Sequence, residues 1–315
     1  MKNTKQNNLA IVIPAYKDTY LDKALDSIAK QTNHAFTVYI GDDASPYDLS
    51  SIVDEYQGLI DIVYERFDTN LGGSDLVAQW ERCIALTQGE LWIWLFSDDD
   101  VLDKNCVECF YRHIKTNVQD KLLHFNVNVI DGKGCIVSST TFPAKLDAFS
   151  FALFKLKGRL KSYVVEYIFR RDLYESIGGF QKYDLAWNAD DATWIEMAKR
   201  DCITTISGAC VNWRKSDLNI SPNVKDVSVV KRKINADLCY IKKLSNSFFG
   251  FLLKFRLYMA ILTWFSVNLV KYEKVLRKKD VVAYLKECVL ATGCPLLFPF
   301  AVGYFIVKRR KIGEF

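Results

Sequence analysis

Short apolar runs and amphipathic stretches alternate along the first hundred residues. LAIVI (9–13), FTVYIGD (36–42), IDIVYE (60–65) and LWIWLF (91–96) are rich in β-branched and aromatic residues and predict strands. Between them, YLDKALDSIAKQ places Leu21, Ala24, Leu25 and Ile28 on one face at helical spacing. SDLVAQWERCIALTQG does the same with Leu76, Val77, Trp80, Cys83 and Ile84, and ends in Gly89, a helix-stop signal. Strand, helix, strand, helix predicts βαβ units and a mostly parallel sheet flanked by helices. LWIWLF is apolar without alternation, which predicts a central strand buried on both faces.

Open sheets of this kind present ligands beyond the carboxyl ends of their strands. The polar clusters that follow the strands are therefore the candidate site: PAYKD after the first, DDAS after the second, DTNLGGS after the third and SDDD after the fourth. From about 101 to 208 the pattern is mixed. A helix is predicted at about 103–116, followed by the apolar runs LLHFNVNVI and YVVEYIF, then SIGGF and NADDATWIEMAKRD. The last reads as a helix start, with Asn188, Asp190 or Asp191 as cap and Trp194, Ile195, Met197 and Ala198 as the buried face.

After VNWRKSDLNIS the composition changes, and the chain divides into a body, 1–222, and a helical tail, 223–315. Half of the 315 residues are hydrophobic and a quarter are charged, a globular composition. Charge is unevenly placed. Residues 1–230 carry 25 Lys and Arg against 32 Asp and Glu, whereas 231–315 carry 17 against 5. A mildly acidic body thus bears a basic tail, a sign that the tail meets an anionic surface. MKNTKQNN has no signal-peptide character, and nine scattered cysteines suit a reducing, cytoplasmic setting. CVEC (106–109) has half a zinc spacing without a second half; two cysteines on an amphipathic helix is the reading preferred.

VIPAYKD, YIGDDAS, NLGG, LWIWLFSDDD, GGF and ADDATWIEMAKR, in that order, resemble family 2 glycosyltransferases of the inverting, bacterial surface-polysaccharide type, over roughly residues 9–221. The resemblance implies a GT-A fold, a Rossmann-like α/β architecture, and transfer of one sugar from a nucleotide sugar, UDP-linked by the same analogy. Asp98, Asp99 and Asp100 resemble the DxD motif and share metal and ribose contacts by that match, the assignment within the triplet left open. The cofactor implied is Mg²⁺ or Mn²⁺, hard cations that take carboxylate oxygen and offset charge growing on a leaving diphosphate. Pro14, Ala15 and Tyr16 match the loop set against the nucleobase. Asp43, preceded by Asp42, matches the aspartate that pairs with a uracil edge; a turn opened with Ser45 and Pro46 is the alternative. Asn70, Gly72 and Gly73 match a loop passing close to the nucleotide, or form a plain turn before a helix. That helix carries QWERC where many relatives show an Arg-Asn pair, with Arg82 the nearby cation.

Transfer with inversion needs a base for the acceptor hydroxyl. Asp191, with Asp190 in place of the usual glutamate, matches the family's base pair at a helix start; both aspartates capping that helix is the alternative reading. Gly178 and Gly179 match a backbone approach to the donor sugar, with Trp187 and Trp194 as candidate stacking faces and Trp194 favoured as core. Arg214 and Lys215 either reach a diphosphate or are surface charges.

QxxRW and several long transmembrane spans, usual in processive synthases, are missing, which favours single-sugar transfer. GxGxxG, GxxxxGK[ST] and a GGxGTRL-like start are missing too, against dehydrogenase, P-loop and nucleotidyltransferase readings; a sugar nucleotidyltransferase and a non-catalytic membrane scaffold stay as alternatives. The basic aromatic tail predicts a helix-rich membrane-associating region. Its uncharged stretch 288–307 is just long enough to span, or forms a re-entrant or interfacial helix. The partners implied are a nucleotide-sugar donor, a glycan or polyprenyl-diphosphate-linked acceptor and an anionic membrane surface, but no nucleic acid. The place is the cytoplasm, peripheral or monotopic at the inner face of the membrane.

Overall fold

WIWL, the middle of LWIWLF, becomes a fully buried interior strand of the first unit's sheet, while Leu91 stays exposed. The structure is a computed structural model that describes residues 7–216 and 225–313. It forms two compact units: Met1–Ala148, Ser162–Gln181 and Thr193–Ser216; and Phe149–Lys161, Lys182–Ala192 and Asp217–Phe315. The boundary expected at 222/223 falls outside the described residues.

Among the described residues, the first unit holds all ten strands: β1 (Leu9–Ala15), β2 (Phe36–Asp42), β3 (Ile62–Arg66), β4 (Trp92–Leu95), β5 (Val101–Leu102), β6 (Leu122–Ile130), β7 (Ile136–Thr140), β8 (Lys145–Leu146), β9 (Tyr167–Arg170) and β10 (Ile203–Arg214). Their order is β3-β2-β1-β4-β9-β6-β10-β5, with β7 beside β6 and β8 beside β10. As the alternation predicts, β3, β2, β1 and β4 are parallel. The sheet turns mixed where β9 enters antiparallel between β4 and β6. All four residues of β4 are buried, and Trp94 Nε1 satisfies its one donor on the Val165 carbonyl at 2.7 Å.

Helices α1 (Leu21–Ala29), α2 (Leu49–Asp54), α3 (Leu76–Ile84), α4 (Cys106–Thr116) and α6 (Arg171–Ser176) flank the sheet; α5 (Ala148–Leu156) and α7 (Ala189–Ala198) run from one unit's residues into the other's. The predicted face of α1 is buried in full. On α3, Val77, Cys83 and Ile84 are buried as expected, but Gln79 joins them while Leu76 and Trp80 are only half-buried. Gln79 is admitted because its amide nitrogen reaches the Gly41 carbonyl and its oxygen accepts from Arg82 Nε at 2.5 Å. The helix read at 103–116 starts three residues later, and its Cys106 is sealed in the core. YVVEYIF yields a strand only from Tyr167; upstream, Tyr163 instead stacks on Trp213 at 3.9 Å.

In the second unit the tail folds as α8 (Val227–Ser247), α9 (Phe251–Tyr272), α10 (Lys278–Thr292) and α11 (Phe298–Gly313). The uncharged 288–307 stretch is not one helix. Gly293, at φ 73°, ends α10 in a left-handed cap, and a 3-10 turn, Pro295–Leu297, precedes α11. One continuous helix through this stretch is therefore ruled out, since the left-handed Gly293 and the turn after it separate α10 from α11. Among the described residues one helix, α9, is long and apolar enough to cross a membrane, and just under half of that window is buried in the protein.

Candidate functional site

In the first unit, the loops after β1, β2 and β4 are tied together by their own polar groups. Asp98 Oδ2 accepts the backbone N–H groups of Tyr16 (2.9 Å) and Lys17 (2.8 Å), which fixes the loop opened by Pro14 and Ala15. Ser45 Oγ donates to the Tyr16 carbonyl at 2.7 Å, and Asp43 N donates to the Ala15 carbonyl at 2.9 Å. The Tyr16 ring is exposed. Three separate sequence clusters thus form one rigid rim at the carboxyl ends of adjacent parallel strands.

Asp42 and Asp43 have different duties. Asp42 is buried; it accepts from Ser45 N (2.7 Å), Tyr64 Oη (2.6 Å) and Arg66 Nη1 (2.6 Å), bracing a turn in which Ala44 has positive φ. Asp43 receives the N–H groups of Leu71 (2.7 Å) and Gly72 (2.8 Å) and the guanidinium of Arg82. The Asn70–Gly73 loop therefore closes on Asp43. A side chain at Gly72 would meet Asp43 Oδ2 at 2.7 Å, so glycine there is what permits the close approach. Gly178 and Gly179 turn against α3. Phe180 N donates to Glu81 Oε1 at 2.6 Å, and a Cβ on Gly179 would lie 2.7 Å from that oxygen.

Beyond β4 the three carboxylates are buried. Ser97 Oγ lies 2.9 Å from Asp99 Oδ1 and 2.6 Å from Asp100 Oδ2. Asp100 Oδ1 accepts from Arg214 N at 2.6 Å, and Arg214 Nε donates to the Asp99 carbonyl at 2.7 Å. Arg214 is 3% exposed, so the surface-charge alternative falls for it; Lys215 N instead extends the strand pairing to Ile130. The ammonium that faces the triplet is Lys17, 3.8 Å from Asp99 Oδ2. Burial, and then the charge of Asp99, holds the carboxyls of Asp98 and Asp100 above the usual carboxylate range.

Among the described residues no three His, Cys, Asp or Glu side chains converge as a complete metal cage. A small hard cation completed by substrate phosphates and water needs only one or two carboxylates. Asp99, with a single long ion pair on Oδ2 and two buried acids beside it, fits that requirement.

Asp190 and Asp191 lie in the first turn of α7, among the residues of the second unit. Lys155 of α5 places Nζ 3.0 Å from Asp191 Oδ1. Burial pushes the Asp191 carboxyl up to about 7; Lys155 holds it down and Asp190 pushes it further up. Asp190 is raised as well, by burial. A carboxylate that titrates near neutrality is poised to take a proton. Trp194 is fully buried and stacked on Tyr167 at 4.3 Å, so it is core and offers no sugar face. Trp187 is half-buried, its indole N–H donated to Asp237 Oδ1 at 2.8 Å.

Sequence reasoning missed Lys17, Ser97, Tyr64, Arg66, Lys155 and Asp237. PAYKD and SDDD contained two of them in plain view. The others sit in strand or helix positions that carry no local signal.

Residues 10–155 match the sequence profile of Glycosyl transferase family 2. Among curated proteins, none matches this chain by sequence. Among solved structures, S. aureus TarS 1–349 in complex with UDP-GlcNAc is similar at 15% identity and a TM-score of 0.67, covering 98% of this chain and 90% of that one. The mannosyltransferase PcManGT from Pyrobaculum calidifontis, in complex with GDP-Man and Mn²⁺, is similar at 12% identity and 0.54, covering 96% and 88%. GalNAc-T7 with UDP, GalNAc and Mn²⁺ gives 12% and 0.54, covering 96% and 58%. Residues 10–155 thus form a family 2 glycosyltransferase domain, and the fold is of the GT-A kind.

Proposed function

We propose that this chain transfers a single sugar, with inversion, from a nucleotide sugar to a hydroxyl of a lipid-linked glycan, and that it does so at the inner surface of the cytoplasmic membrane in cell-surface polysaccharide synthesis. The observation that carries the reading is the rim itself: the Pro14–Tyr16 loop, Asp43 and Asp98–Asp100 are joined by hydrogen bonds at the carboxyl ends of β1, β2 and β4, inside the family 2 match. A UDP-linked donor is favoured by the UDP-GlcNAc held in TarS.

In this reading the Tyr16 ring and the Asp43 loop with Asn70, Gly72 and Gly73 receive the nucleotide. Asp99, backed by Asp98 and Asp100, would hold Mg²⁺ or Mn²⁺, which when bound offsets the negative charge of the diphosphate. Lys17 adds a positive charge at the same rim. Asp191 takes the proton of the acceptor hydroxyl as the hydroxyl attacks; pushed up to about 7, it is basic enough to accept in its ionised form. Asp190 and Lys155 set that balance from either side.

Two features support a membrane surface. Phe251 is 85% exposed, with Phe249, Leu252 and Phe255 exposed beside it in sequence, and Leu296 is exposed as well; the second unit carries the chain's excess of Lys and Arg. Aromatic side chains among cations suit the headgroup boundary of an anionic bilayer.

The deciding experiment is a panel of sugar nucleotides incubated with the full chain and a divalent cation. Slow hydrolysis of one donor, accelerated by a glycan acceptor, supports the reading. Release of pyrophosphate from UTP and a sugar phosphate, without glycosyl transfer, would replace it with nucleotidyl transfer.

A further inference from the structure

The segment leading into α7 runs against backbone preference. Leu185, Ala186 and Asn188 have φ of 58°, 52° and 64°. None is glycine, and side-chain-bearing residues persist in that region only where their surroundings over-determine them.

Within the second unit, helix α8 meets that segment with three side chains. Arg232 grips Asp184 through Nε at 2.8 Å and Nη2 at 2.6 Å. Lys233 Nζ stands 4.5 Å from the centre of the Trp187 ring. Asp237, one turn on, accepts both Trp187 Nε1 (2.8 Å) and Asn188 Nδ2 (2.9 Å) on the same oxygen, Oδ1. Its Oδ2 lies 3.5 Å from Asn268 Nδ2 of α9. Asp237 and Lys233 are fully buried. A buried carboxylate is costly unless donors meet it, and here two of the donors come from the strained segment itself. Acid and segment therefore hold each other, and the held residues run directly into Asp190 and Asp191.

We propose that Asp237 is a positioning residue: by fixing Trp187 and Asn188 it sets the first turn of α7 and so the aim of Asp191. This rests on Asp191 as the proton acceptor of the proposed transfer. A misplacement of about 1 Å costs roughly a hundredfold in rate, so the clamp reports in kcat.

The test uses the full chain in four forms: wild type, Asp237→Ala, Asp237→Asn and Asn188→Gly. Hydrogen exchange over residues 183–191 reads the clamp without any activity; Asp237→Ala should speed exchange there and leave the first unit's strands slow. In transfer assays Asp237→Ala should lower kcat by about a hundredfold with UDP affinity within twofold, and Asp237→Asn, which keeps an accepting oxygen, should recover most of it. Asn188→Gly removes the second donor while relieving the backbone, so it folds even if Asp237→Ala does not; it should also lower kcat. Unchanged exchange over 183–191, or a folded Asp237→Ala or Asn188→Gly with wild-type kcat, overturns the proposal. An asparagine variant as poor as the alanine overturns it also. A wild-type chain that transfers no sugar overturns the parent reading instead, and the exchange result still decides the clamp.

Discussion

Asp98–Asp100 and Asp190–Asp191 are both short acidic runs, yet they are held by opposite means. The first run ends a buried strand, and backbone N–H groups from Tyr16, Lys17 and Arg214 hold two of its three carboxylates. The nearest facing ammonium is 3.8 Å off. The second run begins a helix after a strained turn, and Lys155 meets it at 3.0 Å. A rigid acid cluster whose carboxylates are held by backbone N–H groups and have no close ion pair among the described residues is suited to a ligand that brings its own cation. An acid pair with a built-in counter-charge, titrating near neutrality, is suited to exchanging a proton. Identical side chains receive different chemistry from what surrounds them.

The comparison breaks most readily at Asp191. Asp191→Asn should lower transfer by about 10²- to 10⁴-fold while leaving UDP binding intact; initial rates and calorimetry on one preparation check both halves, and near-normal transfer removes the base assignment. Asp99→Asn should do the reverse. Nucleotide binding in the presence of Mn²⁺ should weaken by at least about tenfold, the gain from added metal should vanish, and an unchanged metal response in calorimetry would return the triplet to a structural role.

A finer division follows from pH. With Asp191 pushed up to about 7, kcat/KM should fall about tenfold per unit on the acid side of that value, since the protonated form cannot accept a proton. The groups that act on it are Asp190 beside it and Lys155 of α5. Lys155 favours the charged form, so Lys155→Met should move the acid limb to higher pH and Lys155→Arg should leave it near its wild-type position; a limb that stays fixed in the methionine variant separates Asp191 from that profile. The smallest effect belongs to the tail. Phe251→Ser with Leu252→Ser should reduce flotation with phosphatidylglycerol vesicles several-fold while transfer to a water-soluble acceptor persists, and undiminished flotation would move the contact elsewhere.

Much of the first acidic site was legible because each of its parts follows a strand. The apolar runs mark the strands, the strand ends share an edge, and PAYKD, DDAS and SDDD are contiguous strings. The second site was legible only at Asp190 and Asp191 themselves. Lys155 reads as one more cation near an apolar helix, and Asp237 as one acid on a polar helix 46 positions beyond Asp191. Long-range pairing leaves no periodic trace. The positive φ of Leu185 and Ala186 was equally hidden, because no glycine announces it. The break at Gly293 was legible only as one of two alternatives: the glycines and prolines of 288–307 allowed a broken helix, but its position needs the φ of Gly293. For Asp42 and Arg214 the sequence left two roles open, and the structure adds their own partners: the turn at Ser45 for one and the Asp99 carbonyl for the other.

The left-handed residues before α7 also bear on how far this chain can be stabilised without loss. Glycine at 186 would relieve about 1–2 kcal/mol of backbone strain, partly offset by greater freedom in the unfolded chain. It would also release a turn that at present has few alternatives. A variant selected for heat resistance at Ala186 or Leu185 is therefore expected to melt higher and turn over more slowly, so that stability and catalytic rate trade against each other at this one bend.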